Sequence, residues 1–359
     1  MGIVPSPGAA VAFERYVAGA DIAPMLVHGD AAAALASLPA ACIDCVMTSP
    51  PYWGKREYAE AGIGLEQTPR DYVANLLRIT RQVQRVLRPT GSFWLNIGDS
   101  YQAKNLLGIP WRVAHSMMDA QQWILRNDVI WHKVKGGPDN ARDKVRNVHE
   151  HVFHFVKQAK GYYYDDSAVR TAPRQAKIIN GAVVSATGVS GVRYQRQIEL
   201  STALTAAEKQ AASRSLDAVL EDIRAGRLAD FRMVIRKQQR ATHSDSDRVS
   251  GRARELHRRG FYFLKYHPDG SKLGDVWDIL PEDTQKRADH FAPYPEDLCK
   301  IPIAATCPPD GIVLDPFCGT GTTMLVARSL GRKSVGIDVS RTYLDGALSR
   351  VAGPGVGGA

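Results

Sequence analysis

The chain contains no run of eighteen or more apolar residues, so nothing in it reads as a membrane span. No basic segment followed by an apolar stretch opens it, so a secretory signal is not expected. Cysteines are few: Cys42, Cys45, Cys299, Cys307 and Cys318, odd in number, scattered and mostly flanked by apolar residues. That pattern excludes a disulfide scaffold and reads as buried free thiols in a reducing compartment, the cytoplasm. Cys42 and Cys45 have C-x-x-C spacing, but no second pair or nearby histidine accompanies them, and no metal is expected. Glycine and proline are not in excess. The first twenty residues, rich in Gly, Ala and Pro, are expected to form a flexible tail, as is the glycine-rich stretch 351–359. A length of 359 residues predicts about two domains.

Charge is present and unevenly placed. The formal net charge is +9, and residues 171–270 alone hold 18 Lys/Arg against 10 Asp/Glu, a surplus of +8. A concentrated surplus fits a polyanion partner; a solvated basic helix face fits it as well. The candidate contacts are Arg193, Arg196, Arg232, Arg236, Lys237, Arg240, Arg252, Arg254, Arg258 and Arg259.

On either side of this segment strands and helices alternate. An apolar strand near Cys42 ends at Thr48, where two prolines forbid further ladder bonds. Spacing of three and four residues predicts a helix over 71–87, with Asp71 as its cap and Pro89-Thr90-Gly91 as its stop. Strands are expected at 92–97, 123–131 and 151–156, and a helix at 110–121. Residues 200–227 read as helical and 232–240 as a basic stretch inside a partly flexible module. Further on, 295–305 is helical, 311–314 a strand, 324–330 a helix and 334–337 a strand ending at Asp338. The whole is an open α/β sheet, in domains 21–170 plus 273–350, interrupted by a module at 171–272.

Between the strand at 311–314 and the helix at 324–330 lies Asp315-Pro316-Phe317-Cys318-Gly319-Thr320-Gly321-Thr322-Thr323. Gly319 and Gly321 let the backbone turn sharply and a ligand approach closely. Asp338 ends the next strand, where a carboxylate can accept from both hydroxyls of a ribose. Asp315 is placed to meet a donor such as an amino group. A lone G-x-G could be a structural turn or part of another nucleotide site. The absence of Lys after the second glycine argues against a P-loop. The full string resembles the S-adenosylmethionine-binding turn of amino-group DNA methyltransferases.

The other candidate turn is Ser49-Pro50-Pro51-Tyr52-Trp53. A bare P-P-Y can be a proline-rich ligand or a mere turn; the strand before it and the glycine turn elsewhere favour chemistry. An exocyclic amine of a base is a poor nucleophile because its lone pair is delocalised into the ring. Ser49 Oγ and the Pro50 carbonyl, directed by two prolines, could accept its protons and free that lone pair. Tyr52 can stack on the base; Trp53 adds to that wall or simply packs. The target atom is inaccessible in a stacked duplex, so the base would be flipped out.

Together the two motifs look like the β-group of amino-methyltransferases, in which the catalytic motif precedes the cofactor motif and a target-recognition region lies between. The resemblance covers roughly 25–170 and 274–350, with further matches at 86–91, 127–131, 275–279 and 290–295. It implies a Rossmann-like methyltransferase sheet with circularly permuted motif order, S-adenosylmethionine as cofactor and double-stranded DNA as partner. It also implies bacterial, nucleoid-associated action, alongside which a cognate restriction endonuclease and a homodimer are considered. Asp30, after His28-Gly29, would face the adenine, and Pro295 and Lys300 would begin the helix on the methionine side. Ser at the first catalytic position usually accompanies N4-cytosine; Asp or Asn there usually accompanies N6-adenine. The expectation is therefore an N4-cytosine DNA methyltransferase acting without a covalent intermediate. N6-adenine, an RNA or protein-amide substrate, and an inactive DNA-binding module remain the alternatives. Cytosine C5 chemistry is not expected, because it needs a Cys nucleophile, usually in a Pro-Cys pair, and the chain has no such pair.

Overall fold

The computed structural model describes residues 2–54, 62–135, 140–237, 251–282 and 294–352. They form two compact units, Met1–Ala168 with Gly274–Ala359, and Val169–Leu273. Arg240, the matches at 290–293 and the stretch 353–359 lie outside the described residues.

Among the described residues, the main sheet of the first unit has nine strands: β1 (Ile3–Pro5), β2 (Met25–His28), β3 (Ile43–Thr48), β4 (Leu87–Ile97), β5 (Ile124–His132), β6 (His149–Val156), β7 (Val276–Asp278), β8 (Ile312–Asp315) and β9 (Lys333–Asp338). Their order across the sheet is β1-β2-β9-β8-β3-β4-β6-β5-β7. All neighbours are parallel except β4 with β6 and β6 with β5. The central strands β3 and β8 are buried at every position, as a parallel sheet covered on both faces requires. Their register sets Val313 beside Cys45 and Leu314 beside Val46. Two segments more than 260 residues apart in sequence therefore end side by side, at the strand ends where open α/β sheets bind ligands.

Among the described residues, seven α-helices belong to this unit: α1 (Ala9–Ala18), α2 (Ala31–Ser37), α3 (Pro69–Val86), α4 (Ile109–Gln121), α5 (Glu296–Thr306), α6 (Thr322–Ser329) and α7 (Arg341–Ala352). α3 buries Tyr72, Val73, Leu76, Ile79, Val83 and Val86, one stripe at helical spacing. Its cap is Thr68, whose Oγ1 accepts from the Asp71 amide, and not Asp71 as the sequence suggested. The helix does end ahead of the proline-glycine run at 89–91, at Val86, and that run lies inside β4.

The expected N-terminal tail is ordered. β1 pairs parallel with β2, and α1 buries Ala9 and Phe13 in the main core. The segment also packs closely on the turn after β2: a Cβ on Gly29 would stand 2.8 Å from Ser6 Cβ.

The second unit has a core of its own, with Tyr194, Ile198, Leu216, Phe231, Met233 and Phe261 among its buried residues. The expected helix over 200–227 is two helices, Gly191–Leu200 and Ala206–Arg224. Between them Thr205 and Glu208 form a reciprocal capping box that starts the second helix. The start of the basic stretch, Arg232–Ile235, lies in a strand, Asp230–Ile235, paired antiparallel with Phe261–Tyr266. Phe231, Met233 and Ile235 face the core while Arg232 is exposed, the period-two alternation of a half-buried strand. Thr171 and Ser271 exchange backbone hydrogen bonds of 2.9 and 3.2 Å, so this unit begins and ends at one bridge.

Candidate active site

β3 delivers Thr48 to its C-terminal end, and the chain leaves at Ser49-Pro50-Pro51-Tyr52. Tyr52 packs over Gly98, where a Cβ would come within 2.7 Å of its ring. Its hydroxyl lies 3.2 Å from Ser49 Oγ and donates to Glu150 Oε2 at 2.6 Å. Asn96, near the end of β4, directs Nδ2 toward Ser49 Oγ at 3.2 Å, Tyr52 Oη at 2.9 Å and Glu150 Oε2 at 3.0 Å. Lys133, which follows β5, donates to Glu150 Oε1 at 2.5 Å. Burial, and then the Glu150 charge, push the Tyr52 phenol well above its ordinary value. Tyr72 of α3 donates to the Pro51 carbonyl at 2.9 Å and braces the turn from behind.

Asn96, Lys133, Glu150 and Tyr72 were not among the residues singled out from the sequence. They lie well away from Ser49 along the chain, and only the antiparallel pair β6 and β5 returns two of them to it. One signal was available: Glu150 is a carboxylate inside a strand otherwise composed of His, Val and Phe.

The glycine turn follows β8. Gly321, with φ +79°, caps α6, a left-handed geometry that favours glycine. The turn packs tightly on β9, since a Cβ on Gly336 would meet Cys318 Sγ at 2.9 Å. Asp338 accepts the Gly319 amide on Oδ2 and the Ser340 amide on Oδ1, each at 2.9 Å. Thr322 Oγ1 accepts from Arg350, which also pairs with Glu296. The hydroxyl of Thr320 is buried with no hydrogen-bond partner among the described residues.

Asp315 is 1% exposed, and its carboxylate is taken up from within. Oδ1 accepts from Thr48 Oγ1 at 2.6 Å and from the Phe317 amide at 3.0 Å. Oδ2 accepts from Thr323 at 2.6 Å and Tyr294 at 2.7 Å. Burial raises its pKa, and the four donors oppose that rise. The donor group expected for Asp315 is thus supplied by its own protein, and the residue holds the two turns together.

Other expected residues are placed less centrally. Trp53 is 8% exposed and donates to the Glu66 carbonyl, so it packs. Asp30 caps α2 by accepting the Ala33 amide. Lys300 pairs with Asp297 on an exposed helix face. In the second unit Arg193, Arg196, Arg232, Lys237, Arg252, Arg254 and Arg258 are exposed. Arg259 is exposed too, paired with Glu255 and lying over Phe261. Arg236 is committed inward, to both oxygens of Glu208 and to the carbonyls of Ala203 and His257. All five cysteines are free thiols, and burial raises the Cys45 thiol to about 12 and Cys42 to about 11.

A DNA methylase family model matches residues 43–349. Over 91% of this chain and 90% of its own length, type II methyltransferase M.SfiI of Streptomyces fimbriatus is 31% identical. Type II methyltransferase M.SmaI of Serratia marcescens is 27% identical over the same shares. Among solved structures, PvuII DNA methyltransferase (cytosine-N4-specific) aligns with a TM-score of 0.51 at 18% identity, covering 93% of this chain and 88% of its own. The Thermus thermophilus protein TTHA0409, solved with S-adenosyl-L-methionine, aligns with a TM-score of 0.51 at 20% identity, covering 93% and 95%. At these identities the structural likeness is one of fold: the mostly parallel sheet is Rossmann-like.

Proposed function

Because the chain belongs to the N6/N4 DNA methylase family, we propose that it methylates the exocyclic N4 amino group of cytosine in duplex DNA, with S-adenosylmethionine as donor. The observation that carries the reading is the junction of the two turns. Ser49-Pro50-Pro51-Tyr52 and Asp315–Thr323 leave adjacent strands and are bonded through Thr48 and Asp315.

The residues of the glycine turn fit the donor. Gly319 and Gly321 bare the main chain, Thr320 offers a buried hydroxyl without a partner among the described residues, and Asp338 stands beside the Gly319 amide. Asp338 would hold the ribose, and the backbone from Phe317 to Gly321 would approach the amino-acid part. When bound, the cofactor supplies an electrophilic methyl group on a sulfonium centre.

The remaining work falls to the chain's own groups. Ser49 Oγ and the Pro50 carbonyl accept hydrogen bonds from the amine and draw its lone pair out of the ring. The Tyr52 ring offers the flipped base a face. No thiol is a ready nucleophile, since the cysteines at the sheet are buried with raised pKa values, which favours direct transfer without a covalent intermediate. Ser49 in the first catalytic position, a neutral hydroxyl where others of the family carry Asp or Asn, supports cytosine over adenine. The exposed arginines of the second unit supply cations for phosphates, and that unit is the candidate target reader. The relatives are named type II methyltransferases, so a cognate restriction endonuclease is the expected partner.

Nucleoside mass spectrometry of DNA from a host expressing the protein is the test. N4-methylcytosine is the expected product. N6-methyladenine would overturn the base assignment, and label from tritiated donor in RNA or protein alone would overturn the DNA assignment.

A further inference from the structure

The Tyr52–Glu150 contact has a direction that chemistry fixes. A carboxylate has no proton to give, so at 2.6 Å the phenol must be the donor. Tyr52 has one hydroxyl proton, and Glu150 holds it. In the 3.2 Å contact between Ser49 Oγ and Tyr52 Oη the serine must therefore donate. Asn96 Nδ2 can only donate, and it faces Ser49, Tyr52 and Glu150 together. The opposite amide orientation would set Oδ1 against a carboxylate, and the adopted one leaves Oδ1 buried with no donor among the described residues. That orphan costs about 1–3 kcal/mol, a sign that the orientation of Nδ2 is worth keeping. Ser49 Oγ then has its proton committed to Tyr52, one lone pair committed to Asn96 and one lone pair left over.

We propose that Glu150, anchored by Lys133, is a positioning residue that aligns Ser49, Tyr52 and itself into a one-way proton relay, making Ser49 an acceptor for the target amine. The proposal rests on the reading of the site as an amino-methyltransferase. When the amine nitrogen forms its bond to the methyl carbon and the carbon–sulfur bond breaks, the nitrogen carries a positive charge and one proton too many. That proton passes to Ser49 Oγ, the Ser49 proton to Tyr52 Oη, and the Tyr52 proton to Glu150 Oε2. The nitrogen ends neutral, the two hydroxyls end as they began, and Glu150 ends as a carboxylic acid. Lys133 is held at Glu150 Oε1, the other oxygen, so it steadies the carboxylate before transfer without blocking the accepting atom. Glu150 keeps 10% of its side chain exposed and Lys133 keeps 29%, a path by which the proton reaches water.

The role differs from a structural one in what it moves. In Glu150→Gln the amide can donate to Tyr52 Oη, which reverses the chain and turns Ser49 into a poorer acceptor. The single-turnover methylation rate is expected to fall by about 100-fold, with S-adenosylmethionine and DNA affinities unchanged within a factor of about two. Tyr52→Phe should cost a similar factor, and the double variant should be no slower than the worse single one, because both break one chain. Glu150→Asp should recover part of the rate. A readout without turnover uses tyrosine labelled with 13C at the ring ζ carbon: Tyr52 in the intact protein should stay protonated well above its ordinary range and titrate lower in Glu150→Gln. Additive losses, an unchanged rate in Glu150→Gln, or an unmoved Tyr52 titration would overturn the relay. Methylation absent on every cytosine substrate would instead overturn the underlying functional reading, and the titration would still report the direction of the chain.

Discussion

Thr48 Oγ1 donates to Asp315 Oδ1 at 2.6 Å, and both groups are buried. The bond ties the last residue before the reaction turn to the first residue of the glycine turn. A change at either end should therefore be felt at both. Thr48→Val keeps the shape and removes the donor, leaving a buried carboxylate one bond short. The expected loss is about 1–3 kcal/mol of stability, together with weaker S-adenosylmethionine binding and slower transfer. Urea midpoints and calorimetric titration measure these, and Thr48→Ser should restore most of both. A Thr48→Val protein that binds the cofactor normally would show that the two turns are independent.

Ser49 and Asp338 should separate turnover from cofactor affinity. Ser49→Ala is expected to lower the methylation rate by about 100-fold or more, as loss of a group aimed at the reacting centre does, with cofactor affinity intact. Asp338→Ala is expected to weaken cofactor binding, since it removes the proposed ribose acceptor and also frees the Gly319 amide. Unchanged affinity in Asp338→Ala would remove the ribose assignment.

His154 makes a pH prediction. It is buried, stacked on Trp94 at 4.1 Å, and burial lowers its pKa from 6.5 to about 3. Between those values the unfolded chain binds a proton that the folded chain refuses, so folding is favoured less as pH falls. The contribution is complete above 6.5 and declines by up to about 1.4 kcal/mol per pH unit below it. Denaturant midpoints measured near neutrality and in mild acid should differ less in His154→Gln than in the parent protein. Equal differences would mean that His154 does not titrate on unfolding.

Two classes of arginine should part company in the second unit. Arg254 and Arg258 are exposed on the helix Gly251–Arg259, so replacing both by Ala should reduce the salt dependence of DNA affinity by about one logarithmic slope unit per lost phosphate contact. Arg236→Ala should instead lower the unfolding midpoint, because Arg236 joins Glu208 to two backbone carbonyls. A flat salt dependence in the parent protein would end the phosphate-contact reading.

The sheet was legible where its strands are fully buried, because a short apolar run followed by Ser-Pro-Pro or Asp-Pro allows little else. Both turns were legible for the same reason. The N-terminal segment was not, since Ala and Gly carry no periodicity strong enough to show that β1 and α1 pack on β2. Arg236 was misjudged because a count of charges ignores Glu208, which neutralises it from 28 positions away. Asn96 was missed because parallel pairing of β4 with β3 brings it to Tyr52, and Glu150 because antiparallel pairing of β6 with β4 does so, neither of which sequence spacing shows.

The bridge between Thr171 and Ser271 has a consequence for how such a chain can change. The two ends of the segment between them lie one hydrogen bond apart. Changes in the number or sequence of the residues between those ends need not alter the distance that separates the ends.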